Sequence, residues 1–257
     1  MPLLDVDGVA INYIDQGQGP AIVLVHGFAS NLQGNWRAPG IVDALVRSGR
    51  RVIALDCRGH GRSAKPHDPA PYAGTRMADD VIALMDHLGI DVADLAGYSM
   101  GAFLSASLIA RFPARFRSVI LGGVGDAAVS GVRNRDRAAA IARAMEAEAG
   151  ADATDATARG FRVFAERSGN DLQALAAMQR SERGGFDPQR LRDVQAPVLV
   201  VVGEGDTLAG SADRVVATFA DARLVKVPGD HLTAVGAPEF RQAILDFLAA
   251  KSPVAAP

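Results

Sequence analysis

The pentapeptide Gly97-Tyr98-Ser99-Met100-Gly101 is the sharpest chemical signal in the sequence. A short strand pattern over 92–96 runs into it, and a helical pattern over 100–112 runs out of it and stops before Pro113. A strand that turns at once into a helix strains the residue at the corner and lifts its hydroxyl over the carboxyl edge of a sheet. Glycines on both sides give the turn room, because a Cβ there would strike the neighbouring strand or helix. The free N–H groups at the start of the helix then face an oxyanion. Ser99 in this setting is a candidate nucleophile.

A serine nucleophile needs a base, and the base needs an orienting acid. His231, in Val227-Pro228-Gly229-Asp230-His231, lies between the last strand pattern (223–227) and the last helix pattern (240–250). Its loop therefore opens at the same carboxyl edge. Asp206, in Gly203-Glu204-Gly205-Asp206, comes directly after the strand pattern 198–202. Asp126, after the strand pattern 118–121, competes for the acid role, and the Gly-x-Gly-Asp context favours Asp206. The carboxylate would hold the imidazole in the right tautomer and stabilise the imidazolium formed during attack. His26-Gly27-Phe28-Ala29 follows a further strand pattern at 21–25, and Gly27 lets the backbone turn so that the Phe28 N–H faces the nucleophile. With the Met100 N–H this makes two oxyanion donors, and losing one such donor typically costs about 2.7–4 kcal/mol of transition-state stabilisation. His26 itself reads as a buttress of its loop.

Continuous apolar runs at 21–25, 51–55, 118–121, 198–202 and 223–227 suit strands buried on both faces. Helical patterns alternate with them. Residues 77–88 place Val81, Leu84, Met85 and Leu88 on one stripe, with Gly89 as a stop, and 240–250 place Ile244, Phe247 and Leu248 on one face. The alternation predicts an α/β protein with a largely parallel sheet and right-handed crossovers. Residues 9–14 read as a strand and 16–20 as a turn. From 126 to 192 the composition shifts to Ala, Arg and Glu without a strand, and helices are expected at 133–148 and 172–179 with a Gly/Ala/Asp/Thr-rich join. The expected organisation is a core of 1–125 and 193–257, with 126–192 as a helical cap and 251–257 as a frayed tail.

The bulk numbers bound the function. The 257 residues are 49% hydrophobic and 22% charged, as in an ordinary globular domain. A net charge of −2 argues against nucleic acid or an anionic membrane as the main partner. No apolar run approaches the ~20 residues of a membrane span. The first eight residues carry two aspartates and no Lys or Arg, so no signal peptide is read and a cytoplasmic location is expected. The single cysteine, Cys57, fits a reducing compartment. No cofactor is expected, and His60 and His67 lack the further ligands of a metal site. Arg133, Arg135, Arg137 and Arg143 read as a solvated helix face. Phe161, Phe164 and Met178 of the cap are candidate pocket linings, and Trp36 and Phe103 either line the pocket or pack in the core.

These motifs, together with Asp56-Cys57-Arg58-Gly59-His60-Gly61-Arg62-Ser63, make the chain resemble the α/β-hydrolase superfamily over nearly its full length. The resemblance implies a mostly parallel eight-stranded sheet flanked by helices, and a triad of Ser99, Asp206 and His231 in that chain order. It implies an oxyanion hole from Phe28 and Met100, and a structural turn at 56–63. A serine at the corner sets the chain apart from the dehalogenase and epoxide-hydrolase branches, whose nucleophile is aspartate. The segment is also similar to that of a menaquinone-pathway lyase, but Ala102-Phe103 replaces that family's Gly-Arg. The expected activity is hydrolysis of a small-molecule carboxylic ester through an acyl-enzyme. Lactonase, thioesterase and cofactor-free perhydrolase chemistry use the same parts, and some members act as ligand receptors without turnover. The few large apolar residues of the cap (Met145, Phe161, Phe164, Leu172, Leu175, Met178) suit a short or medium acyl group.

Overall fold

The computed structural model describes residues 2–131, 133–148 and 155–250. Its strands are β1 (Leu3–Val6), β2 (Val9–Gln16), β3 (Ala21–Val25), β4 (Arg51–Leu55), β5 (Ala93–Tyr98), β6 (Phe116–Gly122), β7 (Val198–Gly203) and β8 (Ala222–Val227). They form one sheet in the order β1-β2-β4-β3-β5-β6-β7-β8. From β4 onward the pairings are parallel, while β1 and β2 form an antiparallel edge. The apolar runs are continuous because both faces of the sheet are covered. On β3, Val23 and Val25 enter one core while Ile22 and Leu24 enter the other; on β7, Val200 and Val202 are divided from Leu199 and Val201 in the same way.

Helices α1 (Ile41–Arg47) and α8 (Pro238–Ala249) cover one face, burying Ile41, Leu45, Phe240 and Phe247. Helices α2 (Arg76–His87) and α3 (Met100–Arg111) cover the other, burying Val81, Leu84, Leu108 and Ile109. Among the described residues three more α-helices lie between β6 and β7, α4 (Arg135–Glu146), α5 (Ala156–Arg167) and α6 (Leu172–Arg180), and α7 (Asp213–Thr218) follows β7. Because β6 pairs directly with β7, the intervening chain leaves the sheet and returns to the adjacent position. No described helix is long and apolar enough to cross a membrane.

The sequence expectation lacks α1, α5, α7 and β1, and two of these have a clear local cause. The join between the expected helices contains α5, whose Asp155 side chain caps the Ala158 N–H at 2.9 Å. Such a cap is worth about 1 kcal/mol. Charged residues interleave with Phe161 and Phe164 and obscured its apolar stripe; the remainder of that join, 149–154, lies outside the described residues, as does the tail 251–257. The second difference is β1. Asp7 and Gly8 turn it into β2 with φ of 52° and 78°, the paired positive φ of a two-residue hairpin.

Candidate active site

Strand β5 ends at Tyr98, α3 begins at Met100, and Ser99 between them is held at φ 50°, ψ −111°. A non-glycine residue there carries strain of about 1–3 kcal/mol, which the surrounding packing must impose. The flanking glycines are what make the corner possible. A Cβ at Gly97 would sit 2.3 Å from the Gly101 carbonyl oxygen, and one at Gly101 would sit 2.0 Å from the Val25 carbonyl oxygen on β3. The Ser99 N–H donates to the Gly122 carbonyl at 2.8 Å, pinning the corner to β6.

The loops after β7 and β8 converge on this serine. Ser99 Oγ lies 2.9 Å from His231 Nε2, and His231 Nδ1 lies 2.9 Å from Asp206 Oδ2. With Nδ1–H donating to the carboxylate, Nε2 is left to accept the serine proton. Asp206 Oδ1 accepts the N–H groups of Leu208 and Ala209, at 3.1 and 2.8 Å. Burial pushes the Asp206 carboxyl up, but these bonds and His231 outweigh it and hold it below its ordinary value. Asp126 is engaged elsewhere: its Oδ1 accepts the Arg214 N–H at 2.9 Å in the first turn of α7. Tyr98 is an addition that the motif did not announce. Its phenol donates to the His231 carbonyl at 2.8 Å, with ring centroids 6.0 Å apart, and burial pushes its ionisation up.

The loop after β3 is held from both sides. Buried His26 accepts the Cys57 N–H on Nε2 at 2.9 Å and directs Nδ1 to the Gly27 carbonyl at 2.8 Å. Burial lowers its basicity, in keeping with a neutral buttress. Asn35 Oδ1 accepts the Gly27 N–H at 3.1 Å, and Asn170, between α5 and α6, donates to the Ala29 carbonyl at 2.6 Å. Ala29 sits at φ 58°. Among the described residues the N–H groups of Phe28 and Met100 have no hydrogen-bond partner, and both residues line the cavity at Ser99. The Asp56 carboxylate organises the turn at 56–63, accepting Asn12 Nδ2, Leu32 N–H and Arg62 N–H, each at 2.8 Å. Cys57 is buried, and burial pushes its thiol up, away from the reactive thiolate.

Ser99 and His231 stand where two cavities meet, one of about 780 Å³ and one of about 300 Å³, which also share Phe28 and Phe161. Phe161, from α5, packs edge-on to Phe28 at 5.4 Å and to His231 at 6.4 Å. Phe164 lines the smaller cavity and Phe103, 41% exposed, lines the larger. Trp36 and Met178 line neither. Trp36 is fully buried with Ile41 and Leu45 in the core under α1, and Met178 is fully buried where α6 packs into the other core. Met145, Leu172 and Leu175 likewise face that core. A helix's largest side chains go to the interface that gains most from burial, which here is the core side. The larger cavity is walled instead by Met77 and Ala78 of α2, Leu104 of α3 and Ile141 of α4.

The comparisons agree with this architecture. The alpha/beta hydrolase fold family matches residues 20–196, and the chain belongs to that family. It is 30% identical to the 2-(acetamidomethylene)succinate hydrolase of Mesorhizobium japonicum, over 95% of this chain and 94% of that protein. It superposes on the enol-lactonase of Burkholderia xenovorans LB400 with a TM-score of 0.79 and 25% identity, covering 96% of this chain and 100% of the other. An epoxide hydrolase of Caballeronia sordidicola is 35% identical, but over only 44% of this chain and 33% of that protein.

Proposed function

We propose that the protein is a serine hydrolase that cleaves small-molecule carboxylic esters through an acyl-enzyme. The observation that carries this reading is the hydrogen-bonded sequence Ser99 Oγ, His231, Asp206 at a strained strand-to-helix corner open to a cavity. Ser99 Oγ attacks the ester carbonyl as its proton passes to His231 Nε2. The N–H groups of Phe28 and Met100 hold the oxyanion, and collapse expels the alcohol, which takes the proton from His231. Water then gives a proton to His231 and attacks the acyl carbonyl, the acid leaves, and the proton returns to Ser99. Asp206 orients His231 throughout.

The helices between β6 and β7 act as a cap, with Phe161 set over the reacting atoms. The larger cavity takes the acyl group and the smaller one the leaving group. A lactone, as an internal ester, passes through the same steps, and the full-length likeness to an enol-lactonase favours that reading second. Thioester and perhydrolysis chemistry differ only in the leaving group or the attacking nucleophile. Epoxide opening fits less well, because the corner residue is serine.

The test is steady-state hydrolysis of p-nitrophenyl butyrate. Sustained multiple turnover that Ser99→Ala abolishes, with the fold intact by circular dichroism, is the expected result. A folded Ser99→Ala variant with undiminished turnover overturns the assignment, and a single turnover points to a ligand receptor.

A further inference from the structure

Among the described residues five arginines line the larger cavity, Arg133, Arg135, Arg137, Arg180 and Arg183, and of these Arg133 and Arg183 are the two that are not exposed. Arg133, just before α4, is half-buried, in contrast to the exposed Arg135, Arg137 and Arg143 that fulfil the solvated-face expectation. Its guanidinium donates to the Ser181 and Gln179 carbonyls at 2.7 and 2.6 Å and to Gln179 Oε1 at 2.8 Å. Arg183 reaches the same Gln179 Oε1 at 3.4 Å, and its buried Nε has no partner among the described residues. Two guanidinium groups thus turn toward one neutral amide oxygen.

The nearby carboxylates are committed elsewhere. Glu182, at the exposed rim of the same cavity, pairs with the equally exposed Arg135 at 3.6 Å, and Glu146 pairs with Arg180. Burial and the adjacent Arg133 push Arg183 down to about 9, as expected of a cation without a counter-charge. Arg183 is nevertheless firmly placed. Gly74 donates to the Glu182 carbonyl and accepts from the Gly184 N–H, both at 2.8 Å, so the backbone on each side of Arg183 is tied to the loop before α2. Both arginines line the same cavity as Ser99 and His231.

We propose that Arg183, assisted by Arg133, is a carboxylate-binding subsite, so that the substrate is an ester or lactone whose acyl part carries a carboxylate remote from the scissile bond. This rests on the hydrolytic reading of Ser99. The guanidinium fork matches a carboxylate with two parallel N–H bonds, and the apolar wall of Met77, Leu104 and Ile141 suits the methylenes between. The experiment has a kinetic arm and a binding arm. The kinetic arm compares p-nitrophenyl monoesters of glutarate and adipate with neutral p-nitrophenyl esters of equal chain length. Wild type favours the carboxylate-ended esters by about 10–100-fold in kcat/KM, the range expected for hydrogen bonds to a charged group. Arg183→Met removes the preference and Arg183→Lys keeps part of it. In the binding arm, millimolar glutarate raises Tm in wild type and in Ser99→Ala but not in Arg183→Met. Equal kcat/KM for the two ester classes in wild type, or a Tm rise as large with inorganic phosphate, overturns the carboxylate subsite while Ser99 turnover still stands. Loss of all turnover with the glutarate shift intact counts against the hydrolytic reading alone.

Discussion

In the proposed mechanism Asp206 sets the tautomer of His231: its Oδ2, 2.9 Å from Nδ1, takes the Nδ1–H while two backbone N–H groups hold its Oδ1. Asp206→Asn keeps the shape but presents an amide that can donate to Nδ1, and in a comparable triad this change costs about 10⁴-fold in kcat. Asp126→Asn, whose partner is the Arg214 backbone, should leave kcat nearly unchanged; the reverse ranking in steady-state kinetics would move the acid to Asp126. The depressed Asp206 carboxyl also contributes to stability. That contribution is present above the unfolded-state value and is lost as pH falls through the lower folded-state value. The Tm gap between wild type and Asp206→Asn should therefore narrow on acidification below the ordinary carboxylate range, and a constant gap would count against it. Ser99, His231 and Asp206 were legible because each ends or follows a strand run within a short glycine-bearing motif. Tyr98 and Asn170 were not, since a tyrosine inside the pentapeptide and an asparagine in a helical join carry no spacing that announces their distant carbonyl partners.

Elements place these residues through backbone contacts that tolerate little change. A methyl at Gly101 meets the Val25 carbonyl of β3, so Gly101→Ala should lower stability by at least the about 1–3 kcal/mol of an overpacked core, read as a fall in Tm. Asn170 acts across elements, tying α5 and α6 to the carbonyl after Phe28. Asn170→Ala should lower kcat about tenfold with a smaller change in KM, because it frees the loop that presents the Phe28 N–H. An unchanged kcat would assign Asn170 to stability alone. The strands were legible from their apolar runs, since a two-sided core leaves no polar alternation to confuse them. Helix α5 was hidden by the charged residues interleaved with Phe161 and Phe164, and β1 by its brevity, although Asp7-Gly8 was a hairpin signal in plain view.

At the scale of the whole molecule, the site is a junction of two cavities under helices whose large side chains mostly face inward to the core. The apolar wall of the larger cavity comes from α2, α3 and α4, while Met178 packs into the core, so a reading that follows residue size misplaces it. Along the apolar wall of this half-open cavity of about 780 Å³, each added methylene gains about 0.8 kcal/mol only until the chain outruns that wall. Among neutral p-nitrophenyl esters, kcat/KM should rise to a medium acyl length and then fall. A monotonic rise through palmitoyl esters would show an open groove instead.

The acyl-enzyme itself offers the most direct test of the central claim. Acid quench of the protein during turnover of a p-nitrophenyl ester, followed by peptide mapping, should place the acyl group on Ser99, and Ser99→Ala should show neither the adduct nor turnover. An adduct on another residue that persists in Ser99→Ala together with full turnover would contradict the account.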